Sequence, residues 1–287
     1  MNDVAVDSGF AFVQLLGDEL ASNSFNLPRF PETALRIQEA LKDPDISIAS
    51  LSNIVLTEPM LTVRLLKMAN SAMMKRGPME VTDVKVAMSR IGLNMVQSAA
   101  MSIAADEAFQ APTGSLLSMR IKKIRSHSIK VCALAYVLAK KVPGTCNPDD
   151  AMLTGLLHSI GKFYILARAD ESPELIANEV ALESLLNDWY TGVGRAIVDF
   201  WGFPAHIVDA VDEHESIDRV ISGNADLTDI IIVANFLAKA EQEKDEVQET
   251  LDQMPSVLRM NLDGETVLNY IQESDEEISS MMQALAG

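Results

Sequence analysis

The sequence predicts an all-α fold, and three features of its pattern support that class. Apolar residues recur at the three- and four-residue spacing of helices along most of the chain. Helix start and stop residues separate these segments at short intervals. No segment alternates apolar and polar residues between hairpin turns, and no internal repeat is visible. We therefore expect many helices joined by short turns.

The first well-marked helices follow Ser47. This residue is a predicted N-cap, and the apolar spacing behind it ends near Leu56. A proline at the first position of a helix needs no hydrogen-bond partner for its missing N–H, so Pro59 marks the start of the next helix. That helix is expected to continue to Ala72.

Two further helix starts are predicted around a glycine. Thr82 or Asp83 caps a third helix, which Gly92 ends. Asn94 and Gln97 have the spacing of a capping box and predict the start of a fourth helix.

The second half of the chain is helical as well. After the loop "QAPTGS" we expect a long helix from about Ser115 to Lys141, and then a helix from about Pro148 that carries His158. The later segments "ALESLLNDWYTGVGRAIVDFWG", "PAHIVDAVDEHE" and "LTDIIIVANFLAKA" keep the helical period.

Composition excludes several classes of function. The net charge is −18, and a negative protein is repelled by a nucleic-acid backbone. Aromatic residues make up only 5% of the chain, so a stacking platform for single strands is not expected either. The apolar run "VCALAYVLA" is too short to span a bilayer, and the N-terminus lacks the basic start of a signal peptide. Binding to nucleic acid or to a membrane is therefore not expected. A cytoplasmic location is expected.

The two cysteines are also consistent with a cytoplasmic location. Cys132 and Cys146 have no metal-binding spacing and are expected to be free thiols in a reducing environment.

The charge of the protein is unevenly distributed. From Ala240 to the end there are 12 Asp and Glu residues against Lys244 and Arg259. The segment "MRIKKIRSHSIK" is, by contrast, basic. It is either a solvated helix face that pairs with the acidic tail or a site for phosphate or for an acidic partner surface.

The histidines are the candidates for chemistry. The chain has four, His127, His158, His206 and His214, all in its second half. Imidazole and carboxylate are the usual ligands of hydrolytic divalent metals, although a single histidine is more often a hydrogen-bonded core or surface residue.

Three motifs occur in an order that resembles the HDOD family, the output-domain relatives of HD phosphohydrolases. They are "LPRFPETA" from Leu27, "EPMLTVRLLKMANS" from Glu58 and "RIGL" from Arg90, followed by "LLHSIGKFYIL" and "FWGFPAHIVDAV". The resemblance implies an all-α, HD-like domain with an N-terminal helical lobe. It places an N-terminal extension at 1–23, the HDOD domain at 24–240, with lobes 24–114 and 115–240, and an acidic helical segment at 241–287.

The resemblance also implies where a metal site would lie. Active HD-type enzymes hold metal with an early His, an adjacent His-Asp pair, further His residues and a late Asp. In this sequence the corresponding positions are His127, His158, Ser159, Tyr190, His214 within a Glu213-His214 pair, and Asn235. Ser159 and Asn235 stand where carboxylates are expected, and neutral oxygens are weak ligands for a hard dication.

The resemblance therefore implies a regulatory module of bacterial signal transduction that acts without cofactor, metal or turnover. It would bind an anionic ligand or a signalling protein of a two-component or cyclic-dinucleotide pathway. Candidate anion or partner contacts are Lys123, Arg125, Lys130 and Lys162, on the surface between the two lobes, which His158 is also expected to line. The alternative is a metal-dependent phosphohydrolase of nucleotides or cyclic dinucleotides. It would use the histidines at 127, 158 and 214 with Asp209 or Asp212. The oligomeric state is left open.

The tail is expected to contain both ordered and mobile parts. The segment after Met254 has apolar residues spaced for two short helices, one near Val257 and one from Val267 to Leu285, which we expect to dock on the domain or a partner. The stretch "EQEKDEVQE" has a single apolar residue and is expected to be mobile.

Overall fold

The computed structural model is helical in every regular element that it describes. It describes residues 32–43, 45–75, 77–108, 116–170, 173–240 and 243–286, together with 14, 17 and 18. The first family motif at 27–31, most of the predicted N-terminal extension and the loop at 110–115 lie outside these residues. No strand occurs within the described ranges, so the predicted all-α class is confirmed.

The helices of the first half form one packed group. α1 contacts α2 and α5, and α4 contacts α2, α3 and α5. Their bounds are Glu32–Leu41 (α1), Ile48–Val55 (α2), Pro59–Asn70 (α3), Val84–Ile91 (α4) and Leu93–Ala108 (α5).

The second half forms a group around a long central helix, α6. This helix packs against α7 and α12, while α10 packs against α8 and α11. The bounds are Leu116–Lys141 (α6), Pro148–Leu157 (α7), Ile160–Ala169 (α8), Pro173–Ala177 (α9), Glu179–Phe200 (α10), Ala205–Glu213 (α11) and Leu227–Lys239 (α12).

The acidic segment is more ordered than the sequence predicts. It forms α13 (Lys244–Gln253), α14 (Pro255–Arg259), α15 (Gly264–Glu273) and α16 (Asp275–Ala286). The stretch expected to be mobile instead contains most of α13, because Val247 and Leu251 lie one helical turn apart and are both buried. That prediction was wrong.

The last two helices connect the two helical groups. α15 and α16 pack on α6, and α16 also packs on α3. Lys141 forms an ion pair of 2.8 Å with Glu273, and the Ser280 hydroxyl accepts a hydrogen bond of 2.8 Å from the Ala72 amide. The tail therefore docks on the domain, mainly through α6 and α3.

The local signals for helix ends were mostly right. Ser47 accepts a hydrogen bond of 3.0 Å from the Ser50 amide, and Asp83 rather than Thr82 caps α4. Gly92 ends α4 at a φ of 88°, a backbone conformation that glycine adopts without strain. The predicted cap at Asn94 was wrong. α5 begins at Leu93, and the Asn94 side chain bonds Asp149 instead.

The helix expected to carry His158 ends one residue before it. α7 stops at Leu157, His158 is its C-cap, and α8 begins at Ile160. A serine in the position of Ser159 usually caps the following helix with its hydroxyl, but here no such cap bond forms. This break turns both side chains inward, since each is about 1% exposed.

One close helix contact fixes where α10 lies. A Cβ on Gly161 would come 2.0 Å from the Tyr190 carbonyl oxygen and 2.7 Å from the Gly194 amide. Only glycine allows the backbones of α8 and α10 to approach this closely. Gly161 therefore serves the close packing of α8 on α10.

Candidate functional site

Three histidines meet where the helices of the second half converge. The ring of His158 lies 5.4 Å from that of His127 on α6 and 4.9 Å from that of His214 at the end of α11, measured between centroids. Tyr190 on α10 adds a fourth ring, 5.4 Å from His214. We call His127, His158, Ser159, Tyr190, His214 and Asn235 the histidine cluster. The structure thus brings together all six positions named from the resemblance.

His158 is satisfied entirely by its neighbours. Its Nδ1 donates to the Gly155 carbonyl at 2.7 Å, which leaves Nε2 as the acceptor of the neutral ring. The Ser159 hydroxyl donates to that Nε2 at 2.8 Å. Burial and the nearby charges of His214 and His127 hold the pKa of His158 well below its usual range. The ring nitrogen that would face a metal is therefore occupied by a serine proton.

Asn235 links a second histidine to an acid that the sequence did not single out. His127 Nε2 donates to Asn235 Oδ1 at 2.9 Å, and Asn235 Nδ2 donates to Glu215 Oε1 at 3.3 Å. Burial is the main reason that the pKa of His127 is lowered. The neutral amide bridges a histidine and a carboxylate because it can accept from one and donate to the other.

His214 depends on Tyr190 in the same way. Its Nδ1 donates to the Val211 carbonyl at 2.7 Å, and the Tyr190 hydroxyl lies 2.8 Å from its Nε2. That hydroxyl also contacts the Glu215 carboxylate. It has one proton for two acceptors, so His214 and Glu215 compete for it. Burial lowers the pKa of His214 to about 4.

The carboxylate in this network is Glu215, not Glu213. Lys239 donates to Glu215 Oε2 at 2.6 Å, whereas Glu213 forms an ion pair of 2.6 Å with Arg219 outside the cluster. Burial alone would raise the pKa of Glu215, but hydrogen bonds from Lys239 and Tyr190 outweigh it and lower the pKa to about 2. Glu213, which precedes His214 where the resemblance places a His pair, therefore lies outside the cluster.

The acids proposed for a hydrolase lie elsewhere. Asp212 forms an ion pair of 2.7 Å with Arg195. Asp209 is exposed, and its negative charge raises the pKa of the same arginine. The fourth histidine, His206, pairs with Asp150 at 3.2 Å rather than joining the cluster.

The residues of the cluster do not fit a divalent metal. Within the part of the chain that the structure describes, no group of three or more His, Cys, Asp or Glu side chains could hold one. The acceptor nitrogens of His158 and His214 already face hydroxyl groups. The nearby Glu215 is neutralised by the Lys239 ammonium, which supplies the positive charge that a metal would.

A cavity of about 390 Å³ opens beside the cluster. Its wall includes four cationic side chains from α6, α8 and α12, namely Arg120, Lys123, Lys162 and Lys239. We call it the cationic cavity. His127 and Ser159 reach it. Contrary to expectation, the buried His158 does not line it, and its lining residues all belong to the 115–240 lobe rather than to both lobes.

Two of the four basic residues predicted to contact a ligand or partner instead form hydrogen bonds with backbone carbonyl groups of other helices. Lys130 donates to the Ala238 carbonyl at 3.0 Å, and Arg125 donates to the Leu285 carbonyl at 3.5 Å. Neither lines the cationic cavity. Arg120 and Lys239 take their place. Lys239 was not among the residues predicted from the sequence to line the site. It lies one helical turn after Asn235, which places both residues on the same helix face.

Neither cysteine takes part in this site. Cys132 is buried in α6 and Cys146 is half-buried, and both are free thiols, as expected. Burial raises the pKa of Cys146 to about 12. Both thiols are therefore protonated at neutral pH and are poor nucleophiles.

Comparisons with known proteins agree with this architecture. Residues 27–217 match the HDOD domain. A crystal structure from Shewanella amazonensis, of a protein provisionally named a metal-dependent phosphohydrolase, superposes with a TM-score of 0.76 at 26% identity. The match covers 96% of this chain and 99% of that one.

Two other similarities extend over longer proteins. A Marinobacter aquaeolei protein, provisionally named a signal transduction protein, has a TM-score of 0.60 at 20% identity. The match covers 95% of this chain and 61% of the Marinobacter protein. An uncharacterised protein of Treponema pallidum is 22% identical over 233 residues, which is 77% of this chain and 44% of that protein. The chain thus spans less than half of this curated relative.

Proposed function

Because the chain belongs to the HDOD family, we propose that it is a cytoplasmic regulatory module of bacterial signal transduction that binds a partner or an anionic ligand without hydrolysing it. The single observation that carries this proposal is the replacement of both expected carboxylates by neutral groups. Ser159 and Asn235 each form a hydrogen bond with a histidine that a metal would need.

The physical argument concerns charge. A dication in this pocket would need negative ligands to offset the cost of leaving water. Instead it would meet the ammonium groups of Lys162 and Lys239. Without a metal, the pKa of a bound water stays near its ordinary value and no nucleophile forms at neutral pH.

The signalling role is supported by the family and by one relative. The Marinobacter protein carries a name from signal transduction and is longer than this chain, which suits a module joined to other domains. No helix among the described residues is both long and apolar enough to cross a bilayer. A signalling protein is the partner that we propose.

The test is a comparison of three proteins for metal content and turnover. They are the wild type, His158→Ala, and a double variant Ser159→Asp with Asn235→Asp that restores the carboxylates. We expect no Mn²⁺ binding by calorimetry and no hydrolysis of bis(p-nitrophenyl) phosphate by the wild type. The double variant should bind Mn²⁺ because two negative charges return next to two histidines.

One result would overturn the proposal. If the wild type hydrolyses the phosphodiester in the presence of Mn²⁺, Fe²⁺ or Zn²⁺ and His158→Ala abolishes that activity, the chain is an enzyme. Activity that persists in His158→Ala would come from a contaminant and would leave the proposal standing.

A further inference from the structure

The cationic cavity has more positive charge than its own carboxylates balance. Arg120 is paired with Glu179 at 2.9 Å and also contacts Glu183, and Lys239 is paired with Glu215. Within the described residues, no carboxylate lies within ion-pair distance of Lys123 or Lys162. Two ammonium groups therefore face this space without a direct counterion, in a protein whose net charge is −18.

Lys162 has an unusual position for a lysine. Its ammonium lies 3.9 Å from the centre of the Tyr190 ring, at the boundary between the cavity and the histidine cluster. Burial and the charge of Lys239 lower the pKa of Lys162, while Glu215 and Glu183 oppose this effect. An anion in the cavity would relieve the repulsion between these two lysines, which strengthens its binding.

The charge to be matched resembles that of one phosphoryl group. A phosphomonoester carries about −1.5 to −2 at neutral pH, close to the two ammonium charges without counterions. Glu183 is the carboxylate that lines the cavity, and it is half-exposed on Arg120. Exposed ion pairs of this kind contribute little to stability, so a phosphate oxygen can replace Glu183 on the guanidinium.

The remaining wall of the cavity is apolar. Ile124, Leu166, Leu186 and Ala238 line it beside the cationic groups. Inorganic phosphate would leave these side chains in contact with water, whereas an apolar body attached to the phosphate would cover them. Covering apolar surface is favourable because it removes that surface from water.

We propose that the cationic cavity binds a small phosphomonoester whose apolar body rests on Ile124, Leu166 and Leu186 and whose phosphate lies between Lys123 and Lys162. This deepens the proposed function, on which it rests, because it names the class of anionic ligand. Arg120 and Asn187 provide further donors at the same wall.

Phenyl phosphate is the probe, with two matched ligands. Phenyl sulfate has the same shape and a single negative charge, and inorganic phosphate has the charge without the ring. Calorimetry on the full chain should show phenyl phosphate binding about tenfold more tightly than either, since each comparison removes one of the two interactions. Released phenol is measured in the same samples.

Matched variants on α6 locate the site. Lys123→Glu should weaken phenyl phosphate binding about tenfold or more because it replaces one of the two ammonium groups with a carboxylate. Lys122→Glu makes the same change of charge on the neighbouring exposed residue, which does not line the cavity, and should leave binding within about twofold of the wild type. Lys162→Met keeps much of the side-chain volume and removes the charge, and it should weaken binding as Lys123→Glu does.

The outcomes separate this inference from the proposed function. If phenyl phosphate does not bind, or if Lys122→Glu and Lys123→Glu weaken it equally, the inference is wrong and the non-catalytic role stands. If it binds and phenol is released in a His158-dependent reaction, the proposed function is wrong. A phosphoserine peptide that binds more tightly than phenyl phosphate overturns the assignment to a small molecule.

Discussion

Ser159 donates its hydroxyl proton to Nε2 of His158, the residue immediately before it, across a distance of 2.8 Å. Both side chains are buried at the break between α7 and α8. An aspartate at this position would present a carboxylate to the cluster. The serine is neutral, and its hydroxyl proton is hydrogen-bonded to the acceptor nitrogen of His158. We therefore expect this buried bond to contribute to the stability of the fold.

Ser159→Ala should lower the free energy of unfolding by about 1 to 3 kcal/mol because it leaves a buried acceptor nitrogen without a donor. Urea denaturation measures this change. Ser126→Ala, at an exposed position of α6, is the matched control and should change stability by less than about 0.5 kcal/mol. Equal effects of the two variants would show that the His158 bond contributes nothing specific.

Lys239→Met should raise the pKa of Glu215 from about 2 toward its ordinary value of 4.5. The ammonium is the strongest of the groups that stabilise the ionised carboxylate, and Tyr190 remains as a weaker donor. Carbon NMR of the labelled side chain measures the pKa directly. Lys244→Met, on an exposed lysine of α13, should leave it unchanged. A Glu215 pKa near 2 in Lys239→Met would show that another group holds the charge.

Stability should fall as the pH drops from about 6.5 to about 4. His214 has a folded pKa of about 4 against 6.5 for an unperturbed histidine, so in this window the unfolded chain binds a proton that the folded chain does not. For His214 the loss amounts to roughly 3 kcal/mol below pH 4, and the lowered pKa values of His158 and His127 add to it.

Urea denaturation across this pH range measures the slope. His214→Gln should make the slope shallower, whereas His206→Gln, which removes a half-exposed histidine outside the cluster, should leave it nearly unchanged. An equally steep slope in His214→Gln would mean that His214 is protonated as easily in the folded protein as in the unfolded one.

Gly161→Ala should be severely destabilising, by about 3 kcal/mol or more, because the new methyl group would collide with the backbone of α10 rather than with a movable side chain. Gly192→Ala is the matched control. That glycine is exposed in α10, and no atom lies within 4 Å of the place that a methyl group would take, so alanine should stabilise the helix by about 0.5 to 1 kcal/mol. Thermal unfolding distinguishes the two, and tolerance of Gly161→Ala would contradict the close contact of α8 and α10.

Arg259→Met should cost about 3 to 5 kcal/mol because Arg259 pairs with Asp229, whose side chain is fully buried. This pair joins the acidic segment to α12. Arg195→Met breaks an ion pair that is half-exposed and should cost at most about 1 kcal/mol. If hydrogen exchange in Arg259→Met leaves α15 and α16 as protected as before, the pair does not anchor the tail.

The sequence determined the helical class, several helix ends and the six positions of the histidine cluster. These follow from local rules, because a serine or aspartate cap, a glycine stop and an apolar period act within a few residues of the chain. The family motifs supplied the positions of the cluster. The same local rules failed at Asn94, because its side chain forms a hydrogen bond with Asp149, which is distant in the sequence. They also failed at α13, because its two buried residues depend on the helices that cover them.

Only the tertiary structure decided how the cluster is satisfied and which cations face its cavity. Glu215, Lys239 and Tyr190 come from three different elements and meet only when α10, α11 and α12 pack together. Lys123 and Lys130 lie on one helix and look equivalent in the sequence, yet one lines the cavity and the other holds the Ala238 carbonyl. Charge and hydrogen bonding act through space, so the partner of each of these side chains was fixed by the packing of helices rather than by its neighbours in the chain.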